Sequence, residues 1–191
     1  MRAPVAGACK TRLVPLLGDE GALAAHLELV AHVLTQTRRV SARRVIWSSA
    51  EHSLVDRLAE NEDCEVRIQP EGDLGARMNA AFTTHLQEGA DAVCVVGVDV
   101  PGIDADYVRD GFEALAHHDV VIGPVEDGGY GLLGLKVANP ALFEDMPWST
   151  EEVAEKTRDR LRTQRLSWLE LPMLWDVDEP EDWLRFRNLL P

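Results

Sequence analysis

Residues 92–101 read AVCVVGVDVP, and this stretch decides the fold. Residues 92–98 are continuously apolar or glycine, the pattern of a strand buried on both faces of a parallel sheet. One carboxylate, Asp99, follows at the end of the run, just ahead of Pro101. Working outward, residues 105–117 read as a helix, and DVVIGPV at 119–125 reads as a second buried strand. YGLLGLK at 130–136 is a further strand, weakened by its glycines. Ser149 with Glu152 fits a capping box for a helix to about residue 163. SWLEL at 167–171 is a short strand, and residues 179–189 form a last helix.

Upstream, Asp73 caps a helix running to residue 88, and CEVRIQ at 64–69 alternates as a strand. Residues 50–60 read as a helix with Ser49 as N-cap, and RVIWSS at 44–49 is β-rich. Residues 19–39 carry Leu23, Leu27, Val30, Val33 and Leu34 at helical spacing. Strands alternating with helices around buried central strands predict an α/β fold. The expected architecture is a three-layer α/β/α sandwich on a mostly parallel central sheet, in one domain over residues 1–191. Ligands in such sheets bind at the carboxyl ends of the strands, so the loops after the strands should carry the chemistry. No strand precedes the polar loop APVAGACKTRL at 3–13, although a doubly wound fold places such a loop after its first, central strand.

The chain has 33 acids against 19 Lys and Arg, a net charge of −14. That field repels a polyanion, so general nucleic-acid binding is not expected. The charge is uneven, however. Residues 1–50 hold seven Lys and Arg against three acids, a local net of +4, which suits a small anion. Cys9, Cys64 and Cys94 are few, odd in number and widely spaced, as expected of reduced thiols in a cytoplasm. The first residues show no apolar h-region, so no signal peptide is expected, and no apolar run approaches the length of a membrane span.

Five segments carry candidate chemistry, each with a plainer alternative. The loop with Pro4, Gly7, Lys10, Thr11 and Arg12 combines close backbone approach, a point charge and a planar guanidinium, as phosphate binding requires; it also reads as a solvated turn. EGDLGARM at 71–78 offers a helix N-terminus with Gly72, Gly75 and Arg77, or a plain strand–helix junction. Asp99 at a strand's carboxyl end suits Mg2+ or Mn2+, which take hard oxygen ligands, or it caps a turn. Glu126 and Asp127, beside Gly128 and Gly129, follow the second buried strand and read equally as a hairpin turn. Asp176 and Asp178 alternate, so an extended backbone points both the same way; with Asp99 they make one carboxylate cluster, or they are a solvated acidic stretch. The six histidines are scattered, and only His117 and His118, at a helix end, suggest a role, in capping.

In order, PVAGACKTRL, QPEGDLGARM, VGVDVPGI, GPVEDGGYGLLGL, PWST and DVDEPED resemble bacterial transferases of the glycosyltransferase-A (GT-A) fold. These are often named glycosyltransferases or radical-SAM/selenodomain-associated transferases. The similarity runs from Arg2 to about Leu189. More distantly the chain is similar to nucleotidyltransferases that load molybdopterin or that guanylylate phosphoenolpyruvate or phospholactate. The resemblance implies a nucleotide-binding sandwich. Ala3, Pro4, Gly7, Lys10 and Arg12, with Gln69, Gly72, Asp73, Gly75 and Arg77, would hold the nucleotide. Asp99 would bind Mg2+ or Mn2+, with Asp176 and Asp178 as partners, and Glu126, Gly128, Gly129 and Tyr130 would face a small acceptor. Two positions depart from the family pattern: Val100 stands where Cys is frequent, and Gly131 where a second Tyr is common.

The expected function is a metal-dependent transferase using a nucleotide donor, foremost a glycosyltransferase acting from a nucleotide sugar. Lys10 and Arg12 would stabilise charge developing on the diphosphate, and Asp127 would serve as base. The alternatives are a nucleotidyltransferase acting on a phosphorylated or acidic acceptor, and a nucleotide-binding protein without catalysis.

Overall fold

The computed structural model describes residues 1–189; positions 190 and 191, the last two of the expected domain, lie outside the described residues. The chain forms two compact units. One comprises residues 1–68, 98–104 and 176–191, the other residues 69–97 and 105–175.

In the first unit a short 3-10 turn at Thr11–Leu13 leads into helix α1, Val14–Gln36. Gly18 interrupts α1 with φ 71° and ψ 172°, values no helix contains, so the regular helix begins at residue 19, as the apolar spacing predicts. Strands β1 (Val45–Ser48) and β2 (Glu65–Ile68) pair in parallel, Val45 opposite Glu65, with helix α2 (Ser53–Glu62) between them in sequence. This is a βαβ unit, which needs a helical crossover because parallel strands cannot be joined by a tight turn. Ile46, Val55 and Ala59 form its core, with Met1, Leu34, Cys64 and Val66 packed around them. The Met1 amine donates to the Trp47 carbonyl (2.5 Å) and the Ser49 N–H donates to the Met1 carbonyl (3.0 Å). These are the two bonds of a parallel strand pair, so residue 1 itself takes the position beside β1 from which the polar loop departs. The unit closes with helix α6, Pro180–Arg187, whose capping box joins Glu179 and Asp182 reciprocally.

The α2 N-cap differs from expectation. His52, not Ser49, caps this helix, its Nδ1 accepting from Leu54 N–H at 3.2 Å. Ser49 Oγ is engaged elsewhere, accepting from Ala3 N–H at 2.8 Å.

The second unit holds a four-stranded sheet in the order β3 (Val93–Val96), β5 (Tyr130–Leu135), β4 (Val120–Pro124), β6 (Trp168–Glu170). The expected α/β class stands: the sheet is mixed, with β3, β4 and β6 running in one direction and β5 alone against them. β4 and β6 are parallel, whereas β5 runs antiparallel to both β3 and β4. The cause is local: the Asp-Gly-Gly turn after β4 makes a hairpin, and hairpin strands can only be antiparallel. β3 is half-buried rather than buried throughout. The glycine at position 134 of β5 has a packing role. A Cβ on Gly134 would lie 2.4 Å from Val121 Cγ1, so glycine permits the close packing of the central strands.

Helices α3 (Leu74–Gln87), α4 (Ala105–His117) and α5 (Val153–Gln164) complete this unit. Its core gathers Met78, Phe82, Val120, Ile122, Leu133, Leu135, Leu142, Phe143 and Leu161, with Phe82 stacked on Phe143 at 5.9 Å. Asp73 caps α3 as predicted, accepting from Ala76 N–H at 2.8 Å. The capping box expected at Ser149 does not form: Ser149 is left-handed (φ 64°), and Glu152 is the N-cap of α5 without a side-chain bond. His118 Nδ1 donates to the Ala114 carbonyl at the end of α4, the capping role expected there. Among the described residues, no helix is long and apolar enough to cross a membrane.

Candidate active site

The N-terminal loop of the first unit is anchored from both ends. Ala3, Cys9 and Leu13 are buried, and the Cys9 thiol donates to the Ala3 carbonyl at 3.3 Å. Gly7 (φ 74°) and Lys10 (φ 45°) both take the left-handed conformation that glycine tolerates and lysine seldom adopts. That turn at Lys10 directs its side chain inward, where it is 9% exposed.

The Lys10 ammonium donates to Asp99 Oδ2 (3.0 Å), Asp178 Oδ1 (3.1 Å) and the Val177 carbonyl (2.6 Å). An ammonium has three protons, and all three are placed. Arg12 adds a bond to the other oxygen of Asp178 at 2.7 Å and approaches Glu179 at 3.5 Å. Residues separated by up to 168 positions therefore meet on one cation. Each acid sits next to a buried valine, Asp99 by Val100 and Asp178 by Val177, which fixes its segment from below.

Burial opposes the charge on Lys10, but the Asp99 and Asp178 carboxylates outweigh it and hold the ammonium above the ordinary lysine range. Burial likewise opposes ionisation of Asp99, and the Lys10 ammonium outweighs it, holding that carboxyl below the usual range. Both shifts favour the charged forms, the Lys10 ammonium and the Asp99 carboxylate.

The predicted cluster of three acids is only partly assembled. Asp99 and Asp178 converge, but among the described residues no three His, Cys, Asp or Glu side chains gather as a metal-ligand set, so Asp176 does not complete one. Two carboxylates still fit a divalent cation of the Mg2+ type, which is commonly held by one or two carboxylates and substrate phosphates.

In the second unit the predicted residues have structural work that explains their types. A Cβ on Gly75 would lie 2.8 Å from both the Phe143 carbonyl and Trp148 Nε1, so glycine lets the PWST segment close onto α3. Gly72 has φ 122° beside the Asp73 cap. Arg77 lies one turn into α3, its Nε buried without a hydrogen-bond partner. Gly128 (φ 87°) is pressed against the Glu151 backbone and its carbonyl accepts from Ala154 N–H at 2.9 Å. Asp127 Oδ1 accepts from Gly129 N–H at 2.7 Å, closing the turn. Tyr130 opens β5, and burial pushes its phenol well above the ordinary tyrosine range.

Two histidines that sequence reading passed over hold the first unit's loops. His26 Nε2 donates to the Arg2 carbonyl (3.1 Å), and His32 Nε2 donates to the Pro101 carbonyl (3.1 Å) while meeting Phe186 edge-on at 5.2 Å. A signal existed for His26. It falls on the buried stripe of α1 with Ala22, Ala25, Leu29, Val30 and Val33, where an unpartnered polar residue is costly.

The chain is similar to a structure from Desulfovibrio desulfuricans G20, provisionally named a nucleotide-diphospho-sugar transferase. The two are 29% identical with TM-score 0.86, over 94% of this chain and 80% of that one. Its fold is also similar to a cytidylyltransferase from Leptospira borgpetersenii serovar Hardjo-bovis (14% identity, TM-score 0.59, 85% and 77% covered). A third similar fold is glucosyl-3-phosphoglycerate synthase from Mycobacterium tuberculosis, in complex with Mn2+, UDP and glucosyl-3-phosphoglycerate (13% identity, TM-score 0.56, 84% and 71% covered). The fold is therefore that of the nucleotide-diphospho-sugar transferases. No curated protein matches the chain. Residues 30–150, more than half of its length, match the family described as "uncharacterized protein conserved in bacteria" (DUF2064), and the chain belongs to that family.

Proposed function

We propose that the protein is a transferase that uses a nucleotide donor together with Mg2+ or Mn2+, and that the donor is a nucleotide sugar. The observation that carries this reading is the meeting of Lys10, Arg12, Asp99 and Asp178, two cations and two carboxylates drawn from three distant segments. The similar structures support it: one is named for nucleotide-diphospho-sugar transfer, and another holds Mn2+ with UDP.

Asp99 and Asp178 would hold the divalent cation, which when bound neutralises charge on a diphosphate. Lys10 and Arg12 carry the remaining compensation. As the bond to the departing diphosphate lengthens, negative charge grows on its oxygens, and fixed cations stabilise that state more than the ground state. Arg12 presents a planar fork to two oxygens, and Lys10 presents one compact charge. Ala3, Pro4, Gly7, Gln69, Gly72, Asp73, Gly75 and Arg77 are assigned to the nucleotide. Glu126, Gly128, Gly129 and Tyr130 are assigned to the acceptor. Asp127, oriented through its bond from Gly129, is assigned as the base that takes the acceptor hydroxyl proton.

A panel of nucleoside triphosphates and nucleotide sugars, with Mg2+ or Mn2+, tests the reading by thermal shift. A donor at about 100 times its dissociation constant adds about 2.7 kcal/mol, or about 5–11 °C for a chain of this size. Released nucleoside diphosphate marks glycosyl transfer; released pyrophosphate marks nucleotidyl transfer, the second reading, which the fold of the cytidylyltransferase favours. Asp99→Ala should abolish metal-dependent binding by calorimetry, and unchanged binding refutes the metal assignment. Binding without turnover under any acceptor leaves a nucleotide-binding protein without catalysis.

A further inference from the structure

We propose that Lys10 is an exchangeable occupant of the cation position: a divalent cation entering between Asp99 and Asp178 displaces the Lys10 ammonium, which then turns to the donor's phosphate. This rests on the metal reading above and adds an order of events and a coupling to it.

The geometry carries the argument. Lys10 Nζ lies 3.0 Å and 3.1 Å from one oxygen of each carboxylate, so a single cation already fills the space between them. A divalent ion contacts carboxylate oxygen at about 2.0–2.6 Å. Placed between the same two oxygens, it would stand almost against the ammonium, and like charges at such a separation repel strongly outside bulk water. One of the two must leave.

The segments that carry the two carboxylates are tied together. Val177 N–H donates to the Asp99 carbonyl at 2.9 Å, which ties the two acidic segments together through the backbone. Arg12 keeps the second oxygen of Asp178 at 2.7 Å. Lys10 is the movable partner, a compact charge on a flexible four-carbon stem. It also has no proton to spare while it holds Asp99, Asp178 and Val177. It can bind phosphate only after release. Metal and phosphate therefore assist each other: the metal frees the ammonium, and the phosphate gives the freed ammonium a partner. Such coupling is reciprocal by linkage.

Lys10, Lys136 and Lys156 are the chain's only lysines, which makes the exchange directly readable. In the wild-type protein, trace acetylation followed by mass spectrometry should find Lys10 protected without metal. Mn2+ alone should raise its labelling about fivefold or more, with Lys136 and Lys156 unchanged as internal standards. In parallel, titration of Mn2+ followed by its electron spin resonance should show Lys10→Met binding Mn2+ about tenfold tighter than wild type, because the competing ammonium is gone. If Lys10→Met does not fold, the labelling decides alone, since it uses the wild-type chain. Wild type binding Mn2+ with Lys10 labelling unmoved overturns the exchange and leaves the metal reading intact. Absence of Mn2+ binding by both proteins overturns the metal reading, and the exchange with it.

Discussion

The N–H of Val177 donates to the carbonyl of Asp99 at 2.9 Å, so the two segments that carry the acidic pair share a backbone bond. Val177 and Val100 are buried beside it, and the carboxylates of Asp178 and Asp99 project to the same ammonium. Groups fixed in this way act as a unit. Asp99→Asn and Asp178→Asn should each weaken Mn2+-dependent nucleotide binding, and the double variant should bind little worse than the weaker single one. A coupling of about 0.5–3 kcal/mol in the double-mutant cycle, measured by calorimetry, is expected. Strict additivity would mean that the two acids do not serve one ligand.

Arg12 separates stability from binding. Its side chain is 57% exposed, and exposed ion pairs contribute about 0–1 kcal/mol, so Arg12→Ala should scarcely move the urea midpoint. A charge-assisted bond to phosphate contributes about 1.5–3 kcal/mol, so nucleotide affinity should fall about tenfold or more. Arg12→Lys should recover only part of the loss, because an ammonium cannot replace the two-pronged guanidinium. A large drop in stability with unchanged affinity would assign Arg12 to the fold instead.

Gly128 and Gly89 make a matched pair for the loop after β4. Both are left-handed, with φ 87° and 96°. Nothing lies within 4 Å of a Cβ built on Gly89, whereas one on Gly128 would sit 2.3 Å from the Glu151 carbonyl oxygen. Gly89→Ala should carry only backbone strain, about 1 kcal/mol. Gly128→Ala adds a collision with main chain and should cost about 3 kcal/mol or more, lowering Tm by about 6–12 °C. Equal shifts for the two variants in differential scanning calorimetry would show that the Glu151 segment yields easily.

Much of this was readable from local pattern. Gly18 interrupts α1 so that the regular helix starts where the apolar spacing begins, Asp73 caps α3, and Asp99 and Asp178 converge on one partner. What escaped depended on partners distant in sequence. Ser49 is an ideal N-cap by type, but Ala3 claims its hydroxyl, and His52 caps α2 instead. Residues 92–98 read as a doubly buried parallel strand, yet β5 pairs antiparallel with the strand they contain, because the direction of β5 is set by the hairpin at Asp127–Gly129 and not by the apolar run. Acids at a strand end announce a cation; that Lys10 itself fills the place could not be read from composition or spacing.

His26 gives the first unit a pH dependence of known sign. The ring is 5% exposed and donates to the Arg2 carbonyl, and burial, aided by the Lys10 charge, lowers its pKa below the ordinary histidine value although the Arg2 bond opposes the shift. The folded protein thus prefers the neutral ring, while the unfolded chain takes up a proton at the ordinary value of about 6.5. The stabilising contribution is complete above that pH and declines as pH falls below it, until the folded-state ring also protonates. Urea midpoints at about pH 7.5, 6.5 and 5.5 should fall in that order for the wild type, in a range where carboxylates stay ionised in both states. His26→Asn retains a donor within the helix but does not titrate, so its decline over the same range should be clearly shallower. Parallel declines in the two proteins would place the titrating group elsewhere and remove His26 from the account of how the N-terminal loop is held.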